Sequence, residues 1–164
     1  MKVGIVLGSR SQWSTMQHSA KLLAHLGIAF EARIITANKS FNQLHEYASK
    51  AQNRGLEIII AGPTKKAYLP GIIASKTGVP VLGIQIDTPT DKKENIYNPD
   101  LNDNKDESIR MFTTGPEGAV NAALFAAGIL SNKYPRIRDS LIKYRSQNVY
   151  AKASQENSRY MLNR

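Results

Sequence analysis

Short apolar runs alternate along this chain with segments in which apolar residues recur at helical spacing. The runs at 3–7, 56–62 and 79–86 are apolar through their centres, as is typical of strands buried on both faces of a sheet. Residues 29–36 and 109–113 form two further candidate strands. Because the helical segments fall between these strands, the pattern predicts a parallel sheet covered by helices on both faces.

The first two predicted helices have recognisable ends. Helix one opens near Ser14 and is closed by Gly27, a residue suited to the C-terminal end of a helix. Helix two follows Ser40, a candidate N-cap, and is stopped by Gly55. Its predicted apolar face consists of Phe41, Leu44, Ala48 and Ala51.

The later helices differ in character from the first two. A short helix ends at Gly78, and residues 119–130 predict a helix that is apolar nearly all round. Such a helix is buried, and we expect it between the sheet and neighbouring subunits. An amphipathic basic helix is predicted over 135–147, whereas residues 148–164 form a tail with little periodicity, either disordered or lying over a neighbour.

The right-handed crossover rule leaves few topologies for this alternation. We predict a three-layer αβα sandwich with a flavodoxin-like parallel sheet, formed by a single domain over residues 1–147. Residues 87–107 interrupt the pattern as a long acidic loop, and the spacing of a calcium-binding loop is absent from 100–107. We therefore predict no metal site.

Charge is unevenly distributed along the chain. The formal net charge is +9; residues 133–164 contribute +6 of it, and residues 87–107 hold seven of the thirteen acidic residues. The basic end would attract polyanions or an acidic neighbouring subunit. The sequence has no cysteine and no bilayer-length apolar run, and its first residues lead directly into a strand. We expect a cytoplasmic protein with no membrane partner.

The turn after the first strand is the main candidate for chemistry. Gly8 ends the strand, and Ser9, Arg10, Ser11 and Gln12 lead into helix one. Free backbone N–H groups at a helix start, joined by two hydroxyls, suit a phosphate or carboxylate. An alternative is an ordinary turn in which Ser11 or Ser14 only caps the helix. No named nucleotide-binding fingerprint is present.

Polar turns also follow the second and third strands, at 37–40 and 62–68. In a parallel sheet, all three turns open on the edge formed by the carboxyl ends of the strands, where ligands bind. We therefore predict one site for a phosphorylated small molecule. Its binding residues are Gly8, Ser9, Ser11, Gln12, Asn38, Lys39, Gly62, Lys65, Lys66, Tyr68 and Leu69.

Several motifs together resemble the PurE family. They are Gly-Ser-Arg-Ser-Gln-Trp at 8–13, Ala-Asn-Lys at 37–39, Ala-Gly at 61–62 running to Ala-Tyr-Leu-Pro-Gly at 67–71, Pro-Val-Leu-Gly at 80–83 and Gly-Ala-Val-Asn-Ala-Ala-Leu at 118–124. The resemblance implies a flavodoxin-like fold, an octamer, and carboxylation or rearrangement of aminoimidazole ribonucleotides in purine synthesis, an isomerase or lyase activity. It implies no cofactor, and it places the substrate phosphate on the first Gly-Ser turn.

The differences from the family pattern fall on the residues that the resemblance implies for catalysis. Gln12 replaces an aspartate that holds ribose hydroxyls, Asn38 replaces the histidine that handles protons, and Tyr68 replaces a second histidine. Asn38 cannot accept a proton, and tyrosine, with an ordinary pKa near ~10, is a poor base at neutral pH. We assign no catalytic residue. Lys39 replaces the family's arginine and can still contact a phosphate.

Three functions remain open at this point. The chain is an altered PurE-type enzyme, a catalytically silent paralogue that keeps the scaffold and a phosphate ligand, or a nucleic-acid binder that uses its basic end. The last is disfavoured because the tail has no arginine-rich run or known binding module.

Overall fold

The computed structural model describes residues 2–36, 41–62, 69–85 and 109–147. Predictions that fall on 37–40, 63–68, 86–108 or 148–164 lie outside these residues. Five strands are present, namely β1 Val3–Leu7, β2 Phe30–Ile34, β3 Ile58–Ala61, β4 Val81–Ile84 and β5 Ile109–Phe112. They form one sheet in the order β2-β1-β3-β4-β5, with every neighbouring pair parallel.

Helices cover both faces of this sheet, as predicted. The helices are α1 Trp13–His25, α2 Phe41–Ser49, α3 Leu69–Ala74, α4 Gly115–Ser131 and α5 at 135–147. One core cluster joins α1, α4 and α5 to one face of the sheet, and a second joins α2 and α3 to the other. The three-layer α/β architecture is therefore confirmed.

β1 lies at the centre of the packing. All five of its residues are buried, with Val3, Ile5 and Leu7 directed toward α1 and α4, and Val6 toward α2 and α3. Successive side chains of a strand point to opposite faces, so a strand covered by helices on both sides must be apolar throughout. The continuous apolar run that predicted β1 has this cause.

Small residues allow α4 to lie close against α1. Ala119, Ala122, Ala123, Ala126 and Ala127 are fully buried, and the buried Ser19 hydroxyl donates a hydrogen bond of 2.7 Å to the Ala119 carbonyl. Phe125 of the same helix does not share this burial, because 46% of it is exposed. It packs edge-on against Phe112 of β5, at one edge of the sheet.

The structure corrects several predicted boundaries. β1 has its predicted bounds, but the other four strands are shorter than predicted, because only residues in register with a neighbouring strand join the ladder. α1 begins at Trp13 after a 3₁₀ turn over Arg10–Gln12, and α3 ends at Ala74, before the predicted end at Gly78. Phe41 is not part of the buried face of α2, since 53% of it is exposed, whereas Tyr47 is buried.

No helix in the part of the chain that the structure describes is long and apolar enough to cross a membrane.

Candidate functional site

The carboxyl ends of β1, β2 and β3 lie side by side at one edge of the sheet. The Ile35 N–H donates to the Leu7 carbonyl at 2.7 Å, and the Gly62 N–H donates to the Val6 carbonyl at 3.1 Å. The Thr36 hydroxyl donates to the Gly8 carbonyl at 3.2 Å. These bonds bring together the starts of the three predicted turns. Thr36, which the sequence analysis did not select, is one of the residues that join them.

The first turn presents hydroxyls and backbone amides together. The Ser9 and Ser11 side-chain oxygens are hydrogen bonded at 2.8 Å in an exposed position. Among the described residues, no group accepts a hydrogen bond from the N–H of Ser9, Arg10 or Ser11. Two hydroxyls and three consecutive N–H donors therefore lie within one turn, an arrangement that suits an anion.

One expectation and one alternative for this turn need correction. The Gly8 N–H is not free, because it donates to Oε1 of Gln12 at 2.8 Å within a buried environment. Neither Ser11 nor Ser14 caps α1: the N-cap is Gln12 without a side-chain cap bond, and the Ser14 hydroxyl donates to the Ser11 carbonyl at 3.0 Å. The sequence could not show that Gln12 reaches back four residues.

The remaining predicted binding residues fall into two groups. Gly62 is buried at the end of β3, and Leu69 is fully buried in the core cluster beneath α2 and α3. The others lie outside the described residues, although the segments that contain them directly follow Thr36 and Gly62 in the chain. They are Asn38, Lys39, Lys65, Lys66 and Tyr68.

The electrostatic character of the first turn is neutral to positive. Residues 8–14 include Arg10 and no acidic side chain. The Glu117 carboxylate in the first turn of α4 is exposed. Across the described ranges, no group of three or more His, Cys, Asp or Glu is placed to hold a metal ion. The donors at this edge can therefore bind an anion through hydrogen bonds and local positive charge.

None of the three histidines belongs to this turn. His18 is half-buried within α1, and His45 is exposed on α2. His25 stands at the C-terminal end of α1, where its ring packs edge-on against Tyr144 with a centroid distance of 5.8 Å. All three histidines therefore lie on helices.

The AIR carboxylase family model matches residues 2–150. The chain belongs to this family, the PurE family. The match spans the whole sheet, the turn at Gly8–Gln12 and all five described helices, so the resemblance drawn from the motifs is confirmed.

PurE-family relatives match the chain along most of its length. An N5-carboxyaminoimidazole ribonucleotide mutase from Pseudomonas aeruginosa is 38% identical over 144 residues, covering 88% of each chain. A protein of the same name from Pyrococcus abyssi is 42% identical over 148 residues, covering 88% of this chain and 82% of that one. A solved PurE structure from Treponema denticola superposes with a TM-score of 0.80 at 22% identity, covering 95% of this chain and 96% of that one. That structure shares the fold.

Proposed function

We propose that this PurE-family chain binds a phosphorylated, imidazole-ribonucleotide-like ligand in purine-nucleotide metabolism. The proposal rests on the hydrogen-bond donors of the Gly8–Gln12 turn. There the Ser9 and Ser11 hydroxyls stand 2.8 Å apart, beside three amides that have no acceptor among the described residues. Phosphate oxygens accept several hydrogen bonds at once, so a turn rich in donors and free of carboxylates favours a phosphate over a neutral ligand.

The sequence carries further positive charge in the segments that follow β2 and β3. Lys39 lies three residues after Thr36, and Lys65 and Lys66 follow Gly62 by three and four residues. Lysine binds phosphate as a point charge and does not need the fixed bidentate geometry of arginine. The relatives' name, N5-carboxyaminoimidazole ribonucleotide mutase, describes a ligand of this class.

We further propose that standard mutase or carboxylase turnover is absent or very weak in this chain. The rearrangement moves a carboxylate onto a ring carbon, from which a proton must then be removed, so a group that titrates near neutrality is needed. Asn38 stands where the family resemblance implies the histidine, and an asparagine amide does not titrate in the relevant pH range. An altered reaction that uses Lys65, Lys66 or Tyr68 is compatible with the same site.

A catalytically silent paralogue with a structural or ligand-sensing role is the second candidate. One observation favours it: the Gly8 N–H is already satisfied by Gln12, so part of the turn is stable without a ligand. The two candidates differ in whether any substrate is converted, and both keep the scaffold of the family.

Calorimetric titration with inorganic phosphate and with ribose 5-phosphate tests the binding proposal. We expect millimolar or tighter binding that weakens with added salt, because the attraction is largely electrostatic. Ser9→Ala and Lys39→Met should each weaken it, whereas His18→Ala, a change within α1, should not. If neither compound binds at millimolar concentration, the proposal is wrong and a silent, purely structural role becomes the better account.

A further inference from the structure

The side chain of Gln12 folds back onto the turn that precedes it. Its Oε1 accepts the 2.8 Å hydrogen bond from the Gly8 N–H, and the residue is only 6% exposed. A buried amide donor left without an acceptor would be costly, so this bond matters for the conformation of the turn. Gln12 thus closes a loop of chain that contains Ser9, Arg10 and Ser11.

Gly8 is held through both of its backbone groups. Its carbonyl accepts the Thr36 hydroxyl at 3.2 Å, and its N–H is held by Gln12. The position and direction of the three amides that follow depend on the peptide plane at Gly8, because bond geometry leaves only two soft torsions per residue. A side chain that fixes Gly8 therefore fixes the direction of the Ser9 N–H, which shares a peptide plane with the Gly8 carbonyl, and restricts the donors that follow.

We propose that Gln12 is a positioning residue, which holds the Gly8–Ser11 turn in the conformation that receives an anion. The inference rests on the anion binding proposed above. Since Oε1 is directed at the Gly8 N–H, Gln12 acts through the backbone.

Gln12→Met tests the role of the amide oxygen, because methionine has nearly the same length and no comparable acceptor. Hydrogen exchange at the Gly8 amide and phosphate titration are followed by NMR on the full-length protein. We expect faster exchange at Gly8 and phosphate binding weakened about threefold to tenfold, the worth of one net hydrogen bond. Gln17→Met is the matched control, because the Gln17 side chain donates to the Ser14 carbonyl in an exposed position. It should change neither measurement.

Gln12→Glu supplies a second, independent readout. The new carboxylate keeps the acceptor, so Gly8 should stay protected and its amide proton shift should follow the pH titration of that carboxylate. Gln12→Glu also decides the question if Gln12→Met fails to fold, because a Gly8 shift that ignores the titration contradicts the proposal.

Two results with Gln12→Met would overturn the proposal. Weaker phosphate binding with unchanged Gly8 exchange would mean that Gln12 contacts the ligand directly, and no change in either measurement would mean that it has no positioning role. Failure of the unaltered protein to bind phosphate would contradict the proposed function alone, because the Gly8 exchange rates still test whether Gln12 fixes the turn.

Discussion

At the scale of single residues, Glu57 is a group whose ionisation the fold controls. It lies at the amino edge of the sheet, opposite the candidate site, and accepts hydrogen bonds from Lys2 at 2.9 Å, Lys133 at 3.1 Å and the Tyr134 hydroxyl at 2.7 Å. Burial by itself would raise the pKa of Glu57, but these hydrogen bonds outweigh it and lower the pKa to about 2.

The lowered pKa predicts how stability depends on pH. Because the folded-state pKa lies below the unfolded value of 4.5, the contribution of Glu57 is fully present above about pH 4.5 and is lost as pH falls toward 2. Glu57→Gln should lower the free energy of unfolding at pH 7 by about 1 kcal/mol, a modest value because the site is partly exposed and screened. Urea denaturation at pH 7 and pH 2 measures the difference.

Glu46→Gln is the matched control for this prediction. Glu46 pairs with Lys50 one helical turn away, and both side chains are 62% exposed, so its neutralisation should change stability little. An effect of Glu57→Gln as large at pH 2 as at pH 7 would contradict the electrostatic explanation.

At the scale of secondary-structure elements, the contact between β1 and α2 depends on one glycine. A Cβ added to Gly4 would overlap the Tyr47 hydroxyl and lie 3.4 Å from the ring carbon that carries it. That hydroxyl is buried and has no hydrogen-bond partner in the described part of the chain. Burial, with the nearby Glu31 carboxylate, raises the pKa of Tyr47 above its ordinary value.

This geometry predicts strong coupling between Gly4 and Tyr47. Gly4→Ala alone should destabilise the protein by about 1–3 kcal/mol, the usual cost of overpacking a core. In the background of Tyr47→Phe, which removes the clashing oxygen, the same change should cost much less. Equilibrium denaturation of the two single variants and the double variant gives the coupling. Additive effects within about 0.5 kcal/mol would show that the two residues do not meet as described.

The centres of the elements could be predicted from the sequence, but several of their ends and faces could not. The apolar runs at β1 and β3 reflect burial on both faces of the sheet. The hydrophobicity that this burial requires is a property of each residue type and can be read directly from the sequence. Phe41 and Tyr47 were harder to assign, because periodicity counts apolar residues without showing which of them the rest of the fold covers. Tyr47 enters the core over Gly4, a contact between residues 43 positions apart that no local pattern signals.

The candidate site was predictable to a similar extent. That the turns after β1, β2 and β3 share one edge follows from the parallel sheet, and the bonds from Ile35 and Gly62 bear this out. The hydrogen bonds that join Gly8 to the Gln12 and Thr36 side chains depend on side-chain conformations. Residue types alone do not determine those conformations.

At the scale of the whole molecule, exposed apolar side chains lie on both edges of the sheet. Ile34 of the edge strand β2 is 49% exposed, and Phe125, packed against edge strand β5, is 46% exposed. Ile142 on α5 is 61% exposed. Large apolar side chains that remain exposed in a single chain are candidates for burial between subunits.

We propose that the chain assembles as a homo-oligomer, with an octamer as the expected state. Light scattering should give a mass near eight times the 18.1 kDa of the chain. Phe125→Ser should reduce this mass with little loss of secondary structure by circular dichroism, and Lys76→Ser, a change at an exposed residue after α3, serves as the surface control. A mass near that of one chain for the unaltered protein would contradict the proposal.

The central claim is that a PurE scaffold with its phosphate-binding turn is retained here without the proton-transfer group of the standard reaction. The measurement that tests it most directly is an optical assay of product formation from N5-carboxyaminoimidazole ribonucleotide by the purified protein. We predict no turnover above background, and recovery of measurable turnover in the combined variant Asn38→His with Gln12→Asp. Turnover by the unaltered protein at ordinary enzyme rates of about 1 per second or more would contradict the claim.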